Sequence, residues 1–340
     1  MKLVKTEDAV GQVLCHDITQ IIRGVKKDAV FRKGHVVTEE DIPVLLSVGK
    51  DNLYVWENDD TMMHENDAAQ VLYDICKSEN IRPSEVKEGK IEIFATRDGL
   101  LKIDRDKLNM VNSFGRMLIS SRHGDFAVKE GDKIAGMKVV PLVIEKKKME
   151  EVREKAGNGE IFKVIPFRER KVGVVTTGNE VYYGRIKDTF TPVIEDKIAE
   201  FGGRMVSHRC SSDNPQQIIQ CIHEVLDEGA EVVICTGGMS VDPDDKTPYA
   251  IREVCGDVVT YGAPVFPGAM FLLAYYGEKR IPVIGVPGCV MYARRTIFDL
   301  VLPRVMADDP ITKDELDRLG EGGLCLNCKV CTFPDCGFGK

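Results

Sequence analysis

From Lys171 to about Asp309 the chain alternates short, continuous apolar runs with stretches of helical periodicity, and few folds accommodate that pattern. Val172–Thr176, Met205–His208, Glu231–Cys235, Val258–Tyr261 and Ile281–Gly285 read as strands. A helix is expected over Phe190–Phe201, with Val193, Ile194, Ile198 and Phe201 on one side. Pro215 opens a second, where its missing N–H costs nothing, and Ile218, Ile219, Ile222, Val225 and Leu226 form its inner face. Further helices are expected from Thr247 to Val254 and from Met291 to Leu302. Strands that are apolar throughout are buried on both faces, as in a parallel sheet covered by helices. The expected fold class is α/β, with residues 171–309 forming a three-layer, mostly parallel sheet domain.

The preceding chain reads differently. Residues 1–60 form a small α+β region. In it Thr38 is placed to cap a helix carrying Ile42, Leu45, Leu46 and Val48, and Gly49 closes that helix. The acidic stretch Glu57–Asp60 links it to a mostly β region over residues 61–145, which begins with a helix from Glu65 to Lys77. Glycine turns such as Asp98-Gly99 and Gly131-Asp132 separate its strands, Lys138–Ile144 among them. Residues 146–170 supply a charged helix and one more strand. The run Lys146-Lys147-Lys148 sits among Glu145, Glu150 and Glu151, which reads as a solvated helix start.

A net charge of -8 argues against a general nucleic-acid binder. No apolar run reaches the roughly 18–20 residues of a membrane span, and the N-terminus MKLVKTEDAV turns acidic too early for a signal peptide. A cytoplasmic protein is expected.

In parallel sheets, ligands bind beyond the carboxyl ends of the strands, and three of these strands end in glycine loops. The first is Thr176-Thr177-Gly178-Asn179-Glu180, the second Thr236-Gly237-Gly238-Met239-Ser240, and the third Gly285-Val286-Pro287-Gly288-Cys289. Glycines let backbone approach a ligand, and successive N–H groups cradle an oxyanion. Asp242, Asp244 and Asp245 follow the second loop. With Asp188 and Glu180 they suit a magnesium ion bridging to a phosphate; equally, aspartates here suit capping of the next helix. There is no P-loop and no Gly-x-Gly-x-x-Gly dinucleotide pattern.

Of eleven cysteines, four fall in the last 16 residues: Cys325, Cys328, Cys331 and Cys336, spaced C-x2-C-x2-C-x4-C within a tail over 310–340. Such clustering points to a metal. The compact run suits an iron–sulfur cluster of the [4Fe–4S] type, and a zinc ion is the alternative.

The phrases around Gly178, Gly237-Gly238-Met239-Ser240-Val241-Asp242-Pro243-Asp244-Asp245 and Gly285-Val286-Pro287-Gly288 resemble the molybdopterin-binding domain family. That family includes molybdopterin adenylyltransferases, molybdopterin molybdenumtransferases and competence-damage-inducible proteins. The resemblance covers about Val172–Leu302, and fragments near Ala9–Leu14 and Gly34–Gly49 look like the molybdenumtransferase scaffold. It implies a domain of molybdopterin-binding type, holding molybdopterin or its adenylylated form. Thr177, Gly178 and Glu180 would line the first loop. Gly237, Gly238, Ser240, Asp242 and Asp245 would hold phosphate and Mg2+, with Pro287 and Gly288 closing the crevice. In catalysis the family exchanges AMP, and a copper or proton, for molybdate, which would give Glu180, Asp242 and Asp245 catalytic roles.

The chain departs from the family pattern at three places. Asn179 stands where the family usually has Asp, and Phe266-Pro267-Gly268-Ala269 replaces Lys-Pro-Gly-Lys. Pro287-Gly288-Cys289-Val290 replaces Pro-Gly-Asn-Pro. Three functions follow as expectations: a molybdenum-cofactor maturation enzyme, a molybdopterin carrier or sensor, or a metal-dependent nucleotide pyrophosphatase. The implied partners are a molybdoenzyme or a cofactor-synthesis protein, and a homo-oligomer is compatible with the family.

Overall fold

The computed structural model describes residues 1–22, 26–56 and 59–340, so Glu57 and Asn58 of the expected linker lie outside the described residues. The chain divides into two compact units. The first comprises Met1–Thr96, Ile103–Arg122 and Glu130–Lys163, and the second Arg97–Lys102, His123–Lys129 and Val164–Lys340.

In the first unit, strands Lys2–Lys5 and Asn52–Val55 pair antiparallel, and Ala9, Leu14, Ile18, Val37, Leu45 and Leu53 share a small core. Thr38 does not cap the helix Asp41–Ser47. Its hydroxyl instead donates to the Asp41 carboxylate at 2.9 Å. A four-stranded antiparallel sheet runs in the order Ile81–Pro83, Lys90–Ala95, Lys133–Val139, Met117–Ser121. The strand expected at Lys138–Ile144 is two strands, Lys133–Val139 and Val143–Glu145, separated by a bend at Val140–Leu142. A helix over Arg105–Ser113 lies where the sequence reading had none, started by Asp104, which accepts from Lys107 N at 2.9 Å. His64 caps the helix Glu65–Cys76: its Nδ1 accepts from Asn66 N while Nε2 meets Cys15 O at 3.1 Å.

The second unit carries a six-stranded sheet. Its strands are β1 (Lys171–Thr177), β2 (Arg204–Ser211), β3 (Val232–Thr236), β4 (Asp257–Tyr261), β5 (Leu272–Tyr276) and β6 (Ile281–Val286). The spatial order is β2-β1-β3-β6-β5-β4. The first four are parallel, whereas β5 runs antiparallel to β6 and β4 antiparallel to β5. Sequence reading missed β5, so it also missed that the chain passes from β4 to β6 by two antiparallel steps through β5 rather than by a crossover.

Four helices cover this sheet: α1 (Phe190–Ala199), α2 (Pro215–Asp227), α3 (Thr247–Cys255) and α4 (Ile297–Met306). Strand alternation sorts the side chains into two cores. Val172, Val174, Ile234 and Ile284 face Ile194, Ile198 and Phe298 of α1 and α4. On the opposite face Val175, Val233 and Val283 meet Ile218, Ile222 and Ile251 of α2 and α3. This is the three-layer α/β architecture that the apolar strands required. α2 approaches β1 closely, since a Cβ at Gly173 would come 2.8 Å from the Val225 side chain.

The last helix differs from expectation. Gly288–Met291 is a 3-10 turn, and α4 begins only at Ile297. A capping box sets that start: Thr296 Oγ1 accepts from Phe298 N at 3.2 Å, and the Asp299 carboxylate accepts from Thr296 N at 2.8 Å. Among the described residues no helix is long and apolar enough to cross a membrane.

Candidate functional site: an acidic crevice at the strand ends

Because β1, β2 and β3 are parallel neighbours, the loops after them open on the same edge of the sheet. β1 leads into Gly178, with φ of +135°. A Cβ there would stand 2.7 Å from a Glu180 carboxylate oxygen, so Glu180 folds back over the glycine. Thr177, expected to line the loop, is buried. Its hydroxyl donates to Thr236 O at 3.2 Å and meets Thr247 Oγ1 at 2.9 Å, tying β1 to β3 and α3.

The second loop passes tightly over the first. Gly237 has φ of +84°, and a Cβ on it would lie 2.1 Å from Thr177 O. No side chain fits there without moving backbone, which is the reason for glycine at this crossing. Ser240 is exposed. Tyr261 on β4 pins the loop by donating to Met239 O at 3.1 Å and Ser240 O at 3.2 Å.

The aspartates that follow form a turn of their own. Asp245 Oδ2 accepts from Asp242 N at 3.2 Å, and Asp245 N donates to Asp242 O at 3.0 Å. Lys246 is the N-cap of α3 and makes no side-chain cap bond, so capping does not account for this acidic turn. In the third loop Pro287 is buried and Gly288 exposed, with Pro287 O accepting from Val290 N at 3.2 Å. Burial holds the Cys289 thiol above its ordinary pKa, so it stays protonated.

Asp213, at the end of β2, went unnoticed in the sequence. Its Oδ2 accepts from Asn179 N at 3.1 Å. Burial raises its carboxyl pKa; the Asn179 N–H opposes this, and the negative charges of Glu180, Asp244 and Asp245 add to the rise. Carboxylates from the loops after β1 and β3 therefore act on Asp213 at the end of β2. The signal was the Ser212-Asp213-Asn214 phrase ahead of Pro215, but only the β1–β2 pairing shows that Asp213 faces Asn179. Oxygen donors gathered around Asp213 in this way suit a hard dication, whose charge would offset the negative charge that raises the Asp213 pKa.

Asp188 belongs to a different group. Its Oδ1 accepts from Phe190 N at 2.8 Å and Thr191 N at 3.1 Å, starting α1, and its Oδ2 accepts from Thr191 Oγ1 at 2.6 Å. Burial would raise its pKa, but these bonds and one from Thr176 outweigh it and hold the group ionised. His208 Nε2 lies 3.5 Å from Asp188 Oδ2 and 3.8 Å from Cys210 Sγ. Among the described residues, these three form the one set of potential metal ligands whose atoms all lie within 4.8 Å of each other.

The cysteine tail is part of the second unit. Phe266 N donates to Gly323 O and Cys325 N to Phe266 O, both at 2.8 Å, and Gly339 N closes the segment by donating to Gly322 O at 2.9 Å. Phe338 is buried in the core that Val265 and Phe298 share. The Phe266-Pro267 segment, which lacks the family's lysines, thus meets the tail through an isolated bridge to Leu324.

Residues 173–307 match the family described as "Probable molybdopterin binding domain", and residues 3–57 match a "Domain of unknown function (DUF8806)". A CinA-like protein of Mycobacterium avium is 30% identical over 95 residues, which are 28% of this chain and 22% of that protein. A CinA-like protein of Mycolicibacterium gilvum is 30% identical over 86 residues, 25% of this chain and 20% of its own length. The chain therefore spans only about a fifth of these relatives. Among solved structures, the molybdopterin biosynthesis enzyme MoaB of Thermus thermophilus is similar at 23% identity and a TM-score of 0.36, over 42% of this chain and 98% of that one. The molybdopterin biosynthesis MoeA protein of Pyrococcus horikoshii is similar at 16% identity and a TM-score of 0.35, over 91% and 75% respectively. The α/β domain at 173–307, with its glycine loops at the ends of β1, β3 and β6, is the part of the chain that matches the molybdopterin-binding domain family.

Proposed function

We propose that the α/β domain binds molybdopterin or its adenylylated form at the strand ends, with Mg2+ held against the ligand's phosphate by Glu180, Asp213 and Asp245. The observation that carries this reading is the electrostatic convergence of Glu180, Asp213, Asp244 and Asp245 beside the Gly237-Gly238 crossing. Magnesium takes oxygen ligands and is bound through a few carboxylates together with substrate phosphates, which this arrangement supplies. Gly178, Gly237 and Gly238 bring backbone N–H groups to the strand ends, Ser240 offers an exposed hydroxyl, and Pro287-Gly288 bounds the far side. Asp242 is exposed and serves Asp245 through its backbone. When bound, magnesium would neutralise phosphate charge. The chain's own residues position the ligand and set the spacing of the carboxylates.

The test is retention of pterin by the full chain, read by fluorescence after gel filtration, with and without Mg2+. Retention strengthened by Mg2+ and weakened about tenfold or more in Asp245→Asn is the expected result, from loss of one charged ligand to the ion. Failure to retain any pterin overturns the reading.

A narrower reading is a carrier role without molybdate transfer. It is favoured by Phe266 and Ala269, which offer no cation to molybdate where the family has lysines. Retention of the adenylylated ligand without AMP release on adding molybdate and Mg2+ supports the carrier; stoichiometric AMP release assigns molybdate insertion instead.

A further inference from the structure

We infer that Cys325, Cys328, Cys331 and Cys336 hold a polynuclear iron–sulfur cluster of the [4Fe–4S] type rather than a single zinc ion. All four line one cavity of about 630 Å³, together with Arg294, Arg295 and Lys329. The two metals differ in how far apart they hold their sulfur ligands. Zinc holds thiolates at about 2.3 Å, so a tetrahedral site draws its sulfurs to roughly 3.8 Å from one another. Among the described residues no three of these sulfurs lie within 4.8 Å of each other, although they share the cavity. A cubane binds one thiolate at each of four irons and so needs ligands placed around a body larger than one ion, for which the shared cavity has room.

The walls suit an anionic cluster. Arg294 Nη1 donates to Lys329 O at 2.9 Å, drawing the ligand loop toward its guanidinium. Arg295 lies 4.8 Å over the Phe333 ring and lines the same cavity as the four cysteines. Cationic donors near cluster sulfurs are one of the means by which a protein stabilises and tunes such a centre. The loop is preformed at both ends, by the Phe266 pairing and by the Gly339–Gly322 bond, so cluster binding orders little new chain. This inference does not depend on what the strand-end crevice binds.

The experiment is anaerobic purification of the full chain, reconstitution with ferrous iron and sulfide, and measurement of iron, acid-labile sulfide, zinc and visible absorption. The expected result is about four irons and four sulfides per chain, with a broad visible band that bleaches on dithionite. Cys331→Ser should lose most of the iron, while Cys255→Ser, outside the tail, retains it. One zinc per chain without sulfide overturns the inference, as does failure to take up iron and sulfide on reconstitution. Because the wild-type stoichiometry decides the question, misfolding of a variant does not blur it.

Discussion

Asp299 holds the start of α4 together, and replacing it with alanine isolates the cost. Its carboxylate is nearly fully buried and lies 2.6 Å from Lys197 Nζ and 2.8 Å from Arg295 Nη1. It also accepts from Thr296 N at 2.8 Å, as half of the capping box. In Asp299→Ala the Lys197 ammonium, 12% exposed, is left without a counter-charge. Removing one partner of a buried pair costs about 3–5 kcal/mol, and loss of a cap alone costs about 0.5–2 kcal/mol. The two share one carboxylate, so they do not simply add, and a loss of about 3–5 kcal/mol is expected. For a unit of this size that corresponds to a fall in Tm of roughly 6–20 °C. Urea unfolding followed by circular dichroism reads the change. Asp299→Asn, which keeps a capping oxygen but not the charge, should fall between wild type and alanine. Adding Lys197→Met to Asp299→Ala should recover part of the loss, since no ammonium is then stranded. A cost below about 1 kcal/mol for Asp299→Ala would refute the buried-pair reasoning.

Three further outcomes follow from the geometry. Gly237→Ala sets a Cβ 2.1 Å from Thr177 O at a positive φ, so a loss of about 2–4 kcal/mol together with weakened pterin retention is expected; wild-type stability and binding would show that the crossing is loose. Burial holds His64 below its ordinary pKa, with the bond to Cys15 O partly opposing it. Its neutral Nδ1 caps a helix, so its contribution is complete above about pH 6.5 and lost as pH falls through the lower folded value, by at most about 1.4 kcal/mol per pH unit. Stability measured from pH 7.5 to 5 should therefore decline more steeply in wild type than in His64→Asn, and equal slopes would contradict the assignment. Asp213→Asn removes a repelling charge from the crevice, so it should leave the urea midpoint unchanged or higher while Mg2+ affinity falls; unaltered Mg2+ affinity would remove Asp213 from the ion's ligands.

The sequence revealed the parts of the fold that local pattern controls. Val172–Thr176 and Ile281–Gly285 are apolar throughout because helices cover both faces, and their glycine-bearing ends stand out. Leu272–Tyr276 is equally apolar and lies between Pro267-Gly268 and Gly277, so its strand was legible in the pattern but went unread. The α4 start was misplaced because Met291 continues an apolar pattern, whereas Thr296 and Asp299 decide the boundary by hydrogen bonding. Glu180 and Asp245 were legible from their loops. Asp213 was not, because its importance comes from strand adjacency between residues far apart in the chain. Thr177 illustrates the converse: its position in a loop motif was readable, but the inward turn of its hydroxyl toward Thr247 was not.

The backbone bridge between Phe266 and the cysteine tail would link occupancy of the proposed cluster to fold stability. Phe266 joins Gly323 and Cys325, and the next residue, Pro267, accepts from Ile297 N at 3.2 Å at the first turn of α4. A ligand that binds only the folded tail stabilises everything that must be in place for that tail to form. By mass action, a metal centre present at 100 times its dissociation constant adds about 2.7 kcal/mol to the folded state. Metal supply would then set how much of this domain a cell keeps folded, and chelation would lower its melting temperature even though the crevice lacks a single tail residue.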